Sequence, residues 1–107
     1  MKEMKGLSIL RLHFNKISDI GIGYLVPVLK EIKEIMKLRL HHNNINDPGI
    51  KKLGSIVKYM NGLQYLSLWG NNITSDGNNY IKQVWSDAGK PSNGLCLHHG
   101  SNPSCQS

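Results

Sequence analysis

The sequence predicts a single α/β domain, a right-handed solenoid in which parallel strands line the concave side and helices cover the convex side. The first observation behind this prediction is a repeat. The pattern Leu-x-x-Leu-x-Leu-x-x-Asn-x-Ile begins at Leu7 and returns, with conservative changes, at Ile35 and Leu63. The second observation is that the hydrophobic period after each copy changes from alternate residues, as in a strand, to every third or fourth residue, as in a helix. The length of 107 residues suits one small domain.

The fixed spacing of these copies is typical of leucine-rich repeats, and the chain resembles proteins of that class. We expect three full repeats over about residues 7–34, 35–62 and 63–91, then a degenerate copy over 92–100 with Gly100 in place of the asparagine, and a flexible tail over 101–107. The first strand should present an open edge unless residues 1–6 cover it, the chain continues, or edge-to-edge self-association pairs it with another copy.

Each strand is expected to bury its two motif leucines, such as Leu10 and Leu12, and to turn the residue between them outward. The asparagine of each motif falls where the backbone leaves the strand. A short amide side chain can bond the backbone groups that this turn leaves unpaired. The sequence therefore predicts a buried ladder of three asparagines, namely Asn15, Asn43 and Asn71.

A helix is expected to follow each turn. Asp19, Asp47 and Ser75 stand at equivalent positions and are the expected N-caps, with Pro48 in the first turn of the second helix. Pro27 falls inside the first helix, which we expect it to kink or shorten. The predicted core-facing residues of the three helices are Leu25, Val28, Leu29 and Ile32; Leu53, Ile56, Val57 and Met60; and Ile81, Val84, Trp85 and Ala88.

The composition favours anionic partners. Thirteen Lys and Arg residues against seven Asp and Glu give a formal charge of +6 and a pI near 9.5. Basic residues interrupt the apolar character of the N-terminal stretch, and no apolar run is long enough to span a bilayer. We therefore expect a cytoplasmic protein without membrane attachment. Cys96 and Cys105 both lie near the C-terminus, and in such a protein we expect two reduced thiols.

The residues that could carry function fall on the concave face of the predicted sheet. They form columns across the strands, because equivalent residues of successive parallel strands lie side by side. All five histidines fall in these columns, and none of the seven acidic residues does. The predicted partner-binding residues are Arg11, His13, Phe14, Lys37, Arg39, His41, His42, Tyr65, Ser67, Trp69 and His98.

Four uses of that face are open. A protein-binding groove is favoured, because Trp, Tyr and Arg are enriched where protein partners bind and solenoids bind along this curved side. A protein partner with an acidic surface would suit it. A solvated surface without a ligand is the plain alternative. An anion or nucleic-acid sensor surface is the third use, with basic groups on phosphates and aromatic rings on bases. A metal site is the fourth, because His13 and His41 are neighbours and Cys96 and His98 share a face.

No cofactor and no resident metal are expected, since copying of the repeat unit already explains the recurring histidine. Catalysis is not expected either, because the face holds no acidic pair and a shallow open sheet excludes little water. Ser67 beside His41 is the nearest approach to a nucleophile and base, and it lacks an orienting carboxylate. The clustered histidines should become more cationic below about pH 6.5, so that binding of an acidic partner would strengthen on mild acidification.

More narrowly, the isoleucine, aspartate and glycine that follow the motif asparagine resemble the ribonuclease-inhibitor-like class of leucine-rich repeats. The resemblance to the closing part of the sensor region of NOD-like receptors rests on Gly70-Asn71-Asn72-Ile73-Thr74, Val84-Trp85, Gly89-Lys90-Pro91 and Gly94-Leu95-Cys96-Leu97. It implies a ligand-sensing or partner-binding module of innate immunity. It does not extend to the nucleotide switch of these receptors: Gly49 and Gly54 have the spacing of a phosphate-binding loop, but Ser55 replaces its lysine.

Overall fold

Three strand–helix repeats and a fourth strand make up the fold in the computed structural model, which describes residues 8–100 and Cys105. The expectations for residues 1–7 and for a flexible tail lie outside this part of the chain, except at Cys105. In chain order the elements are β1 (Ile9–Arg11), α1 (Asp19–Glu31), β2 (Lys37–Arg39), α2 (Asp47–Val57), β3 (Tyr65–Ser67), α3 (Ser75–Asp87), a short 3-10 turn (Ser92–Gly94) and β4 (Leu95–Cys96).

The strands form one parallel sheet in the order β1-β2-β3-β4. Its register keeps the repeat period, because Leu10 lies opposite Leu38 and Leu38 lies opposite Leu66. In the last pair of strands the sequence offset between paired residues is one residue larger, with Leu66 opposite Leu95. The helices pack side by side along the array, α1 on α2 and α2 on α3. The predicted α/β solenoid is therefore confirmed.

The core lies between the sheet and the helices. The motif leucines of β2 and β3 are at most 1% exposed, and so are most of the residues predicted on the core face of α2. Leu25 and Val28 of α1 are only half-buried, because α1 has a neighbouring helix on one side alone in the part of the chain described. Within that same part, no helix is long and apolar enough to cross a membrane.

Two motif asparagines join neighbouring repeats through the backbone. The Nδ2 group of Asn43 donates to Leu12 O and to Leu40 O, both at 3.0 Å. Its Oδ1 atom accepts the Ile17 N–H at 3.0 Å. Asn71 makes the same three bonds one repeat further on. One side chain thus bonds backbone groups of two repeats, at the turn where the strand pattern leaves such groups unpaired.

The prediction of a buried ladder is wrong for Asn15, which is exposed. Its Nδ2 group donates within its own turn, to Leu12 O at 2.9 Å and to His13 O at 3.2 Å. The reason is position. The bonds of Asn43 and Asn71 reach back to a preceding repeat, and residues 8–100 contain no repeat before the one that holds Asn15.

The helix starts differ from the prediction by one residue. The N-caps are Ser18, Asn46 and Thr74, and not Asp19, Asp47 and Ser75. The side chains of the two aspartates instead accept hydrogen bonds from the following repeat. Asp19 Oδ1 accepts the Asn46 N–H at 2.7 Å, and Asp47 Oδ1 accepts the Thr74 N–H at 2.9 Å. These carboxylates therefore connect repeats and do not cap their own helices.

Pro27 lies inside α1, but the expectation that it shortens the helix is wrong. α1 has 13 residues, as α3 has. Ile22 and Leu29, on either side of the proline, are both buried in the core. Tertiary packing therefore holds both halves of the helix in spite of the hydrogen bond that proline removes.

A disulfide bond joins Cys96 in β4 to Cys105, which corrects the expectation of two reduced thiols. Both cysteines are fully buried. The chain between them turns at Gly100, whose φ of 73° is left-handed and whose N–H donates to Cys105 O at 2.9 Å. This bond closes only a short loop, so it can form without the widely spaced cysteines of a disulfide-stabilised scaffold.

Candidate interaction surface on the concave face

A cationic patch lies on the concave side of β1 and β2. Arg11 and Lys37 are exposed, and Arg39 is half-buried. The Arg39 guanidinium carbon lies 5.0 Å from the centre of the Tyr65 ring, and Lys37 Nζ lies 5.9 Å from it. At these distances a cation is attracted to an aromatic ring. In residues 8–100, acidic side chains occur only in the helices and, with Glu34, in the loop after α1.

Aromatic rings of successive repeats stack where the strands end, and we call this row the ring ladder: His13, His41, Trp69 and His99. The centroids of adjacent rings are all 4.5 Å apart. The first two pairs are nearly parallel, with interplanar angles of 18° and 11°, and the last is tilted by 50°. The repeat itself builds the ladder, because neighbouring strands lie about 4.8 Å apart and bring equivalent flat side chains face to face.

A second row of rings lies beside the ring ladder. Phe14 and His42 are exposed and stack with their centroids 4.5 Å apart. Their φ angles of 56° and 57° are left-handed, a conformation that side chains other than glycine adopt at a cost. The third residue of this column is Gly70, where a Cβ atom would come within 3.1 Å of the His42 ring. Gly70 therefore leaves the room in which His42 meets Trp69 edge-on, at 4.7 Å between centroids.

His41, in the middle of the ring ladder, is buried. Its Nδ1 atom lies 2.7 Å from the hydroxyl oxygen of Ser67, which is fully buried. Burial, followed by the neighbouring cationic groups of His13 and Arg39, lowers the pKa of His41 to about 4. The expectation that all the histidines gain charge below about pH 6.5 is therefore wrong for His41, because its imidazolium form would lose its hydration.

The chain itself covers the C-terminal part of the predicted groove. Cys96 and Cys105 form a buried cluster with Tyr65, which is only 6% exposed, and Trp69 packs against this cluster. Tyr65 and Ser67 were predicted to contact a partner, but their burial leaves them no accessible surface for one. What remains accessible we call the open face, and it consists of Arg11, His13, Phe14, Lys37, Arg39, His42, Trp69 and His99.

His98 lies away from the concave face, which corrects its predicted place. It lines a hollow of about 420 Å³ at the C-terminal end of the array, together with Trp85, Lys90 and Leu97. His99 stands beside Trp69 instead. β4 ends at Cys96, opposite the end of β3, but the pairing does not continue beyond it. The bonds of Phe14 N–H to His41 O and of His42 N–H to Trp69 O have no counterpart between Gly70 and His98 within residues 8–100. The degenerate fourth copy of the motif, which is offset by one residue, was the available signal for this shift.

Several polar ring atoms of the concave side are enclosed without a hydrogen-bond partner among the described residues: His13 Nδ1, His41 Nε2, Tyr65 OH and Trp69 Nε1. The proton on the Trp69 indole therefore has no acceptor from this part of the chain. In residues 8–100 and Cys105, no three His, Cys, Asp or Glu side chains converge as a group that could hold a metal ion.

A parallel sheet with one helix per strand defines a solenoid repeat protein, a class whose members commonly use their concave side for binding. Comparison with known families agrees with this class. A Leucine Rich repeat model matches residues 35–54, which hold β2 and most of α2, and a Leucine Rich Repeat model matches residues 62–84, which hold β3 and most of α3. Residues 35–54 and 62–84 therefore hold leucine-rich repeats, in agreement with the solenoid fold. No curated protein matches it.

Proposed function

We propose that the chain is a non-catalytic interaction module that binds an acidic segment of a protein partner on its open face. The observation that carries this proposal is the distribution of charge. Arg11 and Lys37 are exposed on neighbouring strands, and none of the four strands contains an acidic residue. A carboxylate-bearing segment laid across β1 and β2 would find cations and no like charge.

The rings of the open face support the same proposal. His13 and Trp69 stand on either side of His41, with their positions set by stacking before any partner arrives. Side chains that are already ordered lose little conformational entropy on binding. Trp and Arg are also the residue types that contribute most at protein interfaces. The open face thus combines fixed aromatic edges with flexible cations.

Nucleic acid is the second candidate, because Arg and Lys can meet phosphates and aromatic rings can stack on bases. The ring ladder argues against it. Both faces of His41 are occupied by His13 and Trp69, and Trp69 lies between His41 and His99. Stacking on a base needs a free ring face, so the inner rings of the ladder offer a nucleic acid only their edges.

The finer proposal, that this module is the ligand-sensing part of a NOD-like receptor, rests on the sequence resemblance alone.

The disulfide bears on the location of the protein in the cell. The buried disulfide between Cys96 and Cys105 favours an oxidising compartment over the cytoplasmic location expected from the sequence.

Binding of a short fluorescent Glu-rich peptide, measured by anisotropy over a salt series, tests the proposed function. The Arg11→Ala/Lys37→Ala double variant is expected to weaken binding about tenfold at low salt, because two cations of the open face are lost. The matched control is Lys30→Ala/Lys51→Ala, which removes the same charge from exposed positions of α1 and α2. We expect the control to change the affinity less than about twofold.

Two results would contradict the proposal. An equal loss in both double variants would mean that net charge alone attracts the peptide. Tighter binding of a single-stranded oligonucleotide of equal charge, lost in Trp69→Ala, would assign the open face to nucleic acid.

A further inference from the structure

Successive repeats are joined at their helix starts by an aspartate that reaches forward. Asp19 Oδ1 accepts the backbone N–H of Asn46, and Asp47 Oδ1 accepts that of Thr74. In both joints the donor is the N-cap residue of the following helix, where the helix dipole also favours a negative charge. Each joint therefore needs an aspartate from the preceding repeat and a free N-cap amide from the following one.

The following repeat also supplies a glycine at each joint. A methyl group at Gly49 would collide with the Asp19 carboxylate, and a methyl group at Gly77 would collide with the Asp47 carboxylate. Both glycines lie within helices, where alanine is otherwise the more favourable residue. A glycine at the third position after the N-cap thus marks a repeat that receives an aspartate.

The first repeat carries the same glycine with no aspartate against it. Gly21 is the third residue after the N-cap Ser18, as Gly49 is after Asn46. Among the described residues, only Ile17 has atoms within 4 Å of a methyl group built on Gly21, the nearest being its own Cγ2 methyl at 3.0 Å. The same isoleucine contact recurs at Gly49, with Ile45 Cγ2 at 2.9 Å, and a side-chain methyl can relieve it by shifting. What Gly49 has in addition, and Gly21 lacks among the described residues, is the aspartate carboxylate.

The surface around Gly21 is apolar. A hollow of about 280 Å³ opens there, lined by Leu12, Ile17, Gly21, Tyr24, Leu25 and Val28. Four of these residues have equivalents in the second repeat that are at most 1% exposed, namely Leu40, Ile45, Leu53 and Ile56. The apolar surface that the first repeat leaves exposed is therefore equivalent to the surface that the second repeat buries against the first. Asn15, exposed at the same end, has the amide that Asn43 uses to bond a preceding repeat.

A second copy of the chain does not supply the missing contact. Ser75 replaces the aspartate in the last full repeat, and β4 beyond it is tied to Cys105. The sequence before β1 indicates another source. Residues 1–7, Met-Lys-Glu-Met-Lys-Gly-Leu, are similar to residues 29–35, Leu-Lys-Glu-Ile-Lys-Glu-Ile, which lead from α1 to β2. They have the sequence of a segment that closes a repeat.

We propose that the N-terminal face of the first repeat is a docking surface for one further leucine-rich repeat. This repeat presents an aspartate, at the position equivalent to Asp19, to the Ser18 N–H and to the space at Gly21. Its backbone meets the Asn15 amide as the backbone of Ile17 and Leu12 meets that of Asn43.

A tandem duplication of residues 1–28, placed before Met1, tests this proposal because it adds one repeat in phase, with its own aspartate. In the chain itself, Gly21→Ala is expected to change the Tm by less than about 3 °C, because only a side-chain methyl has to shift, whereas Gly49→Ala lowers it by about 10 °C. In the extended chain the Tm should rise, and Gly21→Ala should lower it by about 10 °C, like Gly49→Ala.

If Gly49→Ala does not fold, the extended chain provides its own control. Replacing the aspartate of the added repeat with alanine should restore most of the Tm that Gly21→Ala loses there. The proposal is overturned if Gly21→Ala remains harmless in the extended chain, or if the added repeat does not raise the Tm. It is also overturned if the unextended chain forms a dimer that Gly21→Ala abolishes, since the occupant would then be a second copy.

Discussion

Replacement of Asn43 with leucine is expected to destabilise the protein by about 2–4 kcal/mol, a large part of the stability of a small domain. The leucine would leave the Ile17 N–H without its acceptor. It would also remove one of the two side-chain donors of Leu12 O and of Leu40 O, which keep their bonds from Asn15 and Asn71. Each buried backbone group left unpaired costs about 1–3 kcal/mol. The measurement is urea unfolding followed by circular dichroism.

Asn15→Leu is the matched control, because Asn15 is exposed and bonds only within its own turn. We expect a loss of under about 1 kcal/mol there. Asn71→Leu, at a half-buried position with the same bonds as Asn43, should fall between the two. Equal losses at all three positions would show that the asparagines act through helix or turn preference and not through bonds between repeats.

Removal of the disulfide is expected to be the second large effect. The bond closes a loop with a sequence separation of 9, and loop-closure entropy for such a loop corresponds to about 2.7 kcal/mol. Reduction, or the Cys96→Ser/Cys105→Ser double variant, should lower the free energy of unfolding by about that amount. It should also uncover Tyr65, which Cys96 and Cys105 now bury.

Thiol titration under denaturing conditions checks this prediction together with urea unfolding in the presence and absence of a dithiol reductant. The reductant should destabilise the parent chain and leave the double serine variant unchanged. Two free thiols in the unreduced protein, or an unfolding midpoint that ignores the reductant, would show that the bond does not form.

The internal repeats could be predicted from the sequence because the same residue types make the same contacts at a fixed period. Leu38 and Leu66 pair in register as a fixed period requires, and the core face of α2 is buried as its spacing indicates. Periodicity places every copy in the same environment, so one repeat explains the next. The same argument places His13 and His41 together, and their stacking follows from the distance between strands.

The ends of the array could not be predicted in this way because the ends are where the period fails. Asn15 has the motif, but residues 8–100 hold no preceding repeat that would bury it. His99, and not His98, stands beside Trp69, because the backbone pairing that continues past the ends of the other strands stops at β4 within residues 8–100. Tyr65 is covered through a disulfide whose partner, Cys105, lies beyond the last motif. In each case the outcome depends on a contact between elements that no local pattern contains.

The N-termini of the helices show a further limit of prediction from sequence. Asp19 has the side chain and position of an N-cap, and a single helix considered alone would use it so. In the array, its carboxylate instead accepts the Asn46 N–H of the next repeat. The glycine that this contact requires, Gly49, is visible in the sequence, but its purpose becomes clear only when the two repeats are placed side by side.

Binding of an acidic protein segment to the open face is tested most directly by the indole protons. The chain has two tryptophans. The Trp69 indole N–H has no hydrogen-bond acceptor among the described residues, whereas Trp85 Nε1 donates to Pro91 O at 2.6 Å. In an NMR titration with the Glu-rich peptide, the Trp69 indole signal and the amides of β1 and β2 should shift, and the Trp85 indole should stay unchanged. Shifts confined to the helices, or a Trp85 indole that moves while Trp69 does not, would contradict the claim.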